Sequence, residues 1–298
     1  MVASAIKDGN PNLDIIVSNY LRDFITRLFE HKIEIQTIST IDDLNNRVLE
    51  GISHLSILRD ELLNVISYFS LDDNCMKRIK LVDFFGSLLQ RYEDEGISLF
   101  TGTGVKQLSC DHYRFFNQSF FISLTALLIE NKCFITLANL VQAKFLVNYR
   151  SFQIVHNVNF IRFREYNYTL NQNINKSAPQ RVSVTADYII QQSNAQNIEK
   201  LIKADILLYY LSLKYRSDEP LDMYWYPELS VYNRTAEALP FLISRHYFEE
   251  VKVIFGVQSV EEFKDYIENV DDSLPRDNIF FIPKIKYGLS FDKVASKE

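Results

Sequence analysis

The sequence predicts a mainly α protein, a multi-helix assembly built on a central apolar helical hairpin at about residues 112–147. Three observations carry that expectation. Glycine and proline number only 8 and 7 in 298 residues, which favours long helices joined by short loops. Apolar residues recur at spacings of three and four along most of the chain. The hairpin region itself, HYRFFNQSFFISLTALLIENKCFITLANLVQAKFLV, holds two apolar patterns around the polar break Glu130-Asn131-Lys132. In the first, Phe116, Phe120, Leu124, Leu127 and Leu128 form a stripe while Phe121, Ile122 and Ile129 fill the other sides, so little of that helix can face water. In the second, Phe134, Leu137, Ala138, Val141 and Phe145 line up. A short polar break between two such patterns joins antiparallel helical neighbours.

The flanking elements follow the same periodicity. A first helix spans residues 12–33, and Thr40 caps a longer one, with Asp43 three residues on as a weak capping box. A third is expected over residues 72–92, opened by Asp72-Asp73 at the positive end of its dipole. The stretch 93–107 holds Gly96, Gly102 and Gly104 and reads as a connection; Lys106 is misplaced for a phosphate-binding loop. Further helices are expected over residues 158–168, 182–192, 198–215, 224–242, 246–255 and 260–270. An extended segment is expected near residues 279–286, where Pro283 restricts it to a sheet edge. This divides the chain into an N-terminal helical bundle (1–95), a linker (96–110) and a larger helical domain (111–298).

The longest uncharged stretch, Phe115 to Ile129, is too short to span a bilayer, so no membrane association is expected. No cationic start followed by an apolar block marks a secretory leader. Cys75, Cys110 and Cys133 are odd in number and lack CxxC spacing, which fits neither a disulfide framework nor a zinc ribbon. The expectation is a cytoplasmic protein without metal or cofactor.

Charge is unevenly distributed. Residues 1–110 carry net −5, residues 111–186 net +5 and residues 187–298 net −6. The basic middle interleaves Arg150, Arg162 and Arg164 with Phe160, Phe163, Tyr166 and Tyr168, the combination that single-stranded nucleic acid requires: cations for phosphate and rings for base stacking. The alternative is that these cations pair with acids inside the fold while the rings belong to the core. Arg150, Arg162, Arg164 and Tyr166 are the nucleic-acid-binding candidates.

Within this region Arg150-Ser-Phe-Gln-Ile-Val-His156 resembles the motif of the HEPN family, in which an Arg and a His are separated by four to six residues. Those are small helical-bundle ribonucleases. The resemblance implies that Arg150 contacts a scissile phosphate and that His156 takes part in acid–base chemistry, which an imidazole can do near neutral pH. Cys110-Asp111-His112 places thiol, carboxylate and imidazole in a row, but sequence neighbours rarely face one another for nucleophilic catalysis, and Asp111 reads better as a helix cap. Tyr224, Trp225 and Tyr226 precede a proline and are candidates for a partner-binding hot spot, or else anchor a loop on the core.

No assembled catalytic set emerges. The expected function is therefore a non-enzymatic helical scaffolding or protein-interaction subunit of a cytosolic complex, with a protein partner or a second copy of itself. Its Asn- and Ile-rich polar segments would suit an accessory component of a bacterial defence system. The alternative is a helical nucleic-acid-binding protein or HEPN-like ribonuclease.

Overall fold

The computed structural model describes residue 4 and residues 10–71, 73–97, 104–149, 154–175, 183–193, 195–215, 224–233, 240–273 and 293–297. The fold is mainly α. Helix α1 (Leu13–Phe29) buries Leu13, Val17, Leu21, Phe24 and Leu28 along one stripe. It is clipped to α2 (Ile41–Phe69) by Arg27, whose guanidinium donates to both oxygens of Glu61 at 2.8 and 2.7 Å. Both side chains are partly exposed, so this pair orients the helices more than it stabilises them.

Thr40 caps α2 as expected, its hydroxyl accepting from the Asp43 amide at 3.1 Å. The reciprocal half of the box is displaced by one residue, because the Asp43 carboxylate accepts from the Ser39 amide rather than from Thr40. Along its 29 residues α2 buries Leu44, Val48, Ile52, Leu55, Leu62 and Ile66.

The helix expected over residues 72–92 is broken. A short turn at Asp73–Met76 runs through a 3-10 turn at Lys77–Ile79 into Lys80, whose φ of 51° and ψ of 52° are left-handed, and α3 (Leu81–Asp94) starts there. The apolar spacing is the same on both sides of Lys80, and no Gly or Asn marks the left-handed position. Periodicity alone therefore hides the break.

Helix α4 (Asp111–Glu130) lies at the centre and is buried on nearly every side. Its rings meet those of the N-terminal helices, Phe116 against Phe24 at 6.3 Å and Phe120 against Phe84 at 6.2 Å, so regions 1–95 and 111–298 share one core. Asn131, Lys132 and Cys133 separate α4 from α5 (Phe134–Gln142). The break is anchored on Ser70, whose hydroxyl accepts from the Asn131 amide group at 2.8 Å and whose carbonyl accepts from the Cys133 thiol at 3.4 Å.

Two expectations fail just beyond α5. Phe145 and Val147 do not extend a helix but begin a two-stranded antiparallel sheet, β1 (Phe145–Tyr149) with β2 (Ile154–Val158). Phe145, Val147 and Val158 are buried while Leu146, Asn148, Val155 and Asn157 are exposed, an alternation of period two that a helical stripe through Phe145 had obscured. Residues 158–168 are not a helix either. They end β2, form a 3-10 turn at Phe160–Phe163 capped by the Asn159 side chain, and then run extended. Phe160, Ile161 and Phe163 are all fully buried, so they serve several neighbours and not one face.

The C-terminal region resumes with α6 (Val184–Gln191), α7 (Ala195–Tyr215), α8 (Glu228–Asn233), α9 (Arg245–Phe255) and α10 (Val260–Ser273). Ser183, Ser244 and Ser259 each accept from a backbone amide three residues on, at 3.0, 3.3 and 3.1 Å. Residues 224–227 are not helical, so α8 starts four residues later than the helix expected over 224–242. Segment 279–286 lies outside the described residues. No helix among the described residues is long and apolar enough to cross a membrane.

Gly51 fixes the approach of α2 to α4. A Cβ there would lie 2.9 Å from the His112 ring, and that ring is held by a 3.1 Å bond from its Nε2–H to the His31 carbonyl. Alanine in place of a helical glycine ordinarily gains up to about 1 kcal/mol. Here the clash should win, and Gly51→Ala should destabilise the fold by ~1–3 kcal/mol in denaturant unfolding. A more stable variant would show that the ring has room to move.

Candidate functional site

Among the described residues, the arginine candidates of the basic middle face carboxylates inside the fold. Arg164 donates from Nη2 to Glu228 Oε1 at 3.1 Å, and its Cζ sits 5.3 Å from the centre of the Tyr226 ring. Glu228 also accepts from Gln118 on α4 at 3.0 Å. Arg162 lies 3.5 Å from Glu165, both side chains being about 7% exposed. Arg114 pairs with Asp111 one turn earlier on α4 and donates to the Gln107 carbonyl at 2.8 Å. Three guanidinium groups and their carboxylates thus sit inside the fold, which is what a buried charge requires.

Asp111 is not the cap expected of it. Cys110 occupies the cap position, and the Asp111 carboxylate reaches across to the Thr169 amide at 2.6 Å. Asn167 accepts from the Leu170 amide at 3.0 Å and donates to the Asp111 carbonyl at 2.8 Å. These side chains take up amides left open at the start of the wide turn at Thr169–Ile174 and tie it to α4.

Trp225 has no exposed surface and is an anchor, not a hot spot. Its Nε1–H donates to Asp205 Oδ1 at 2.7 Å, and the other Asp205 oxygen accepts from the Leu229 amide at 2.9 Å. Tyr224 and Tyr226 are half-buried beside it, and Tyr166 packs edge-on against Tyr168 at 4.8 Å. Cys110, Asp111 and His112 do not face one another: the thiol donates to the Lys106 carbonyl and the imidazole to the His31 carbonyl. Burial raises the Cys110 thiol and lowers His112 to about 3, so neither is poised for catalysis at neutral pH.

His156 is exposed on β2, opposite Val147, and Arg150 lies outside the described residues. Among the described residues no group of His, Cys, Asp or Glu could hold a metal ion, and the three cysteines are not disulfide-bonded. The acids that complete the network, Glu165, Asp205 and Glu228, stand beside arginines, in an apolar run and after a proline, and none of those settings shows in sequence that the acid is buried.

The remaining surface candidate is the hairpin. Asn148 donates its amide to Gln90 Oε1 at 2.9 Å and accepts from Gln90 Nε2 at 3.4 Å, so its backbone groups point away from β2. The pair Asn148–Val155 is therefore one whose backbone groups face outward on both strands, and two residues on, Asn157 repeats the arrangement. Among the described residues nothing pairs with that outer edge of β2. Leu146 at 64% and Val155 at 53% exposure crown the outward face.

Comparisons with protein-family models, with curated proteins and with solved structures find no match to this chain.

Burial pushes the Glu165 carboxyl up to about 7, opposed by Arg162, Arg114 and Arg164. Its folded pKa exceeds its unfolded one, so its contribution is complete below about pH 4 and is lost as pH rises through about 7. Glu165→Gln, which cannot ionise, should therefore gain stability relative to the wild type between those limits, by on the order of 1–3 kcal/mol, and then level off. Thermal unfolding across that pH range checks this; parallel curves for the two proteins would refute it.

Proposed function

We propose that this chain is a non-enzymatic protein-interaction subunit of a cytosolic complex, and that it docks its partner on the β-hairpin. The observation that carries this reading is the outer edge of β2, where the backbone groups of Val155 and Asn157 face outward beside the exposed Leu146 and Val155 side chains. Among the described residues that edge is unpaired, and an unpaired edge with apolar side chains invites a further strand. The hairpin is also too small a sheet to be stable by itself; it rests on α3 through Phe145, which packs against Phe163 and in turn Phe85. The occupant that fits is an extended segment of a protein partner, joined by main-chain hydrogen bonds.

The nucleic-acid reading has less support. It needs guanidinium groups directed at phosphate, whereas Arg162 and Arg164 face Glu165 and Glu228. His156 is the described candidate of that reading that remains exposed, and it sits on a strand where the HEPN resemblance implies a helical bundle.

The docking reading is tested by affinity capture from the native host with the wild type and with a Leu146→Asp/Val155→Asp double variant, followed by reconstitution with the purified partner. Both positions are exposed, so stability should change by no more than about 0.5 kcal/mol at each. The wild type should form a defined complex that the variant does not. Equal binding by both would move the interface elsewhere.

A further inference from the structure

A second feature, on different elements, points to a small-molecule site. A cavity of ≈ 410 Å³ opens between α2, α4, the end of α6 and α7. It lies within the size range of small-ligand pockets. Its most unusual lining residue is Arg59, a charged side chain only 4% exposed. Arg59 contacts Asp60 at 2.8 Å and donates to Gln192 Oε1 at 3.3 Å. Asp60 is the next residue of the same helix and is 61% exposed, so water shares it and it neutralises Arg59 incompletely. Gln192 Oε1 also accepts from the Ser56 hydroxyl at 2.8 Å.

Nε and Nη2 both reach Asp60 Oδ1 and Nη1 reaches Gln192, so the planar fork that would match a carboxylate or a phosphate is the edge that Asp60 now occupies. Lys200 stands at the mouth, paired with Glu130, and both are about half exposed. Leu63, Leu127 and Leu201 form an apolar patch in a lining that is otherwise mostly polar, Ser123, Ser193 and Asn197 among it. A buried arginine beside an apolar patch is what an acid with a short hydrocarbon body needs: the fork binds the head, and the leucines cover the body.

We propose that this cavity binds a small amphipathic acid, one oxyanion carried on a short apolar body, with Arg59 as the anchor and Asp60 as the group the ligand displaces. The site is independent of the hairpin, so either can fail without the other.

Titration calorimetry with hexanoate, hexyl phosphate and hexanol separates the alternatives. At least one acid should bind saturably at a single site while hexanol does not, and the preferred acid identifies the head group. Arg59→Lys keeps the charge but removes the fork and should weaken binding by about tenfold or more. Asp60→Asn, at an exposed position that leaves the fold intact, should tighten it. The absence of saturable binding by either acid to the wild type, equal binding by hexanol, or affinity unchanged in both variants would overturn the proposal.

Discussion

Everything in this fold answers to the enclosure of α4. A helix buried on nearly every side can leave few polar groups to water, and α4 carries Asp111, Arg114, Asn117 and Gln118 into the core. Arg114 is met locally by Asp111 and the Gln107 carbonyl, while the other three recruit partners from afar: Asp111 the Thr169 amide, Asn117 the Tyr92 hydroxyl at 2.9 Å, and Gln118 the Glu228 carboxylate. These bonds place α3, the 3-10 and wide turns after β2, and α8 around one helix. Apolar packing supplies the cohesion, while the polar contacts choose the arrangement, because an unpartnered buried group costs more than a made bond returns.

The charge pattern is resolved by the same requirement. An acidic chain with a basic middle looks like an electrostatic surface when read along the sequence. In the fold, the cations of that middle meet carboxylates on its own turns and on distant helices, Arg162 with Glu165 and Arg164 with Glu228. The net +5 of residues 111–186 is thus in part the complement of the acidic region that follows it.

Helical periodicity made the mainly α class legible, along with α1, α2, α9, α10 and the Thr40 cap, because one buried stripe per helix leaves a repeating trace. Lys80 was not legible, since a left-handed lysine leaves the apolar spacing intact. The hairpin was misread for a related reason: Phe145 satisfied both a helical stripe and an alternating one, and only its partner strand decides between them. In the candidate site, Arg162, Arg164 and Tyr226 could be named but not paired. Glu165, Asp205 and Glu228 were invisible because their importance comes from burial, which an acid's neighbours in sequence do not advertise.

Gln90 has a consequence beyond holding β1 in place. Its side-chain amide donates and accepts at Asn148 as a neighbouring strand would, whereas among the described residues nothing pairs with the outer edge of β2. In the proposed docking, a strand added at β2 would leave Gln90 standing at Asn148 on the far side of β1, which guards against the open-ended stacking that a bare two-stranded ribbon invites.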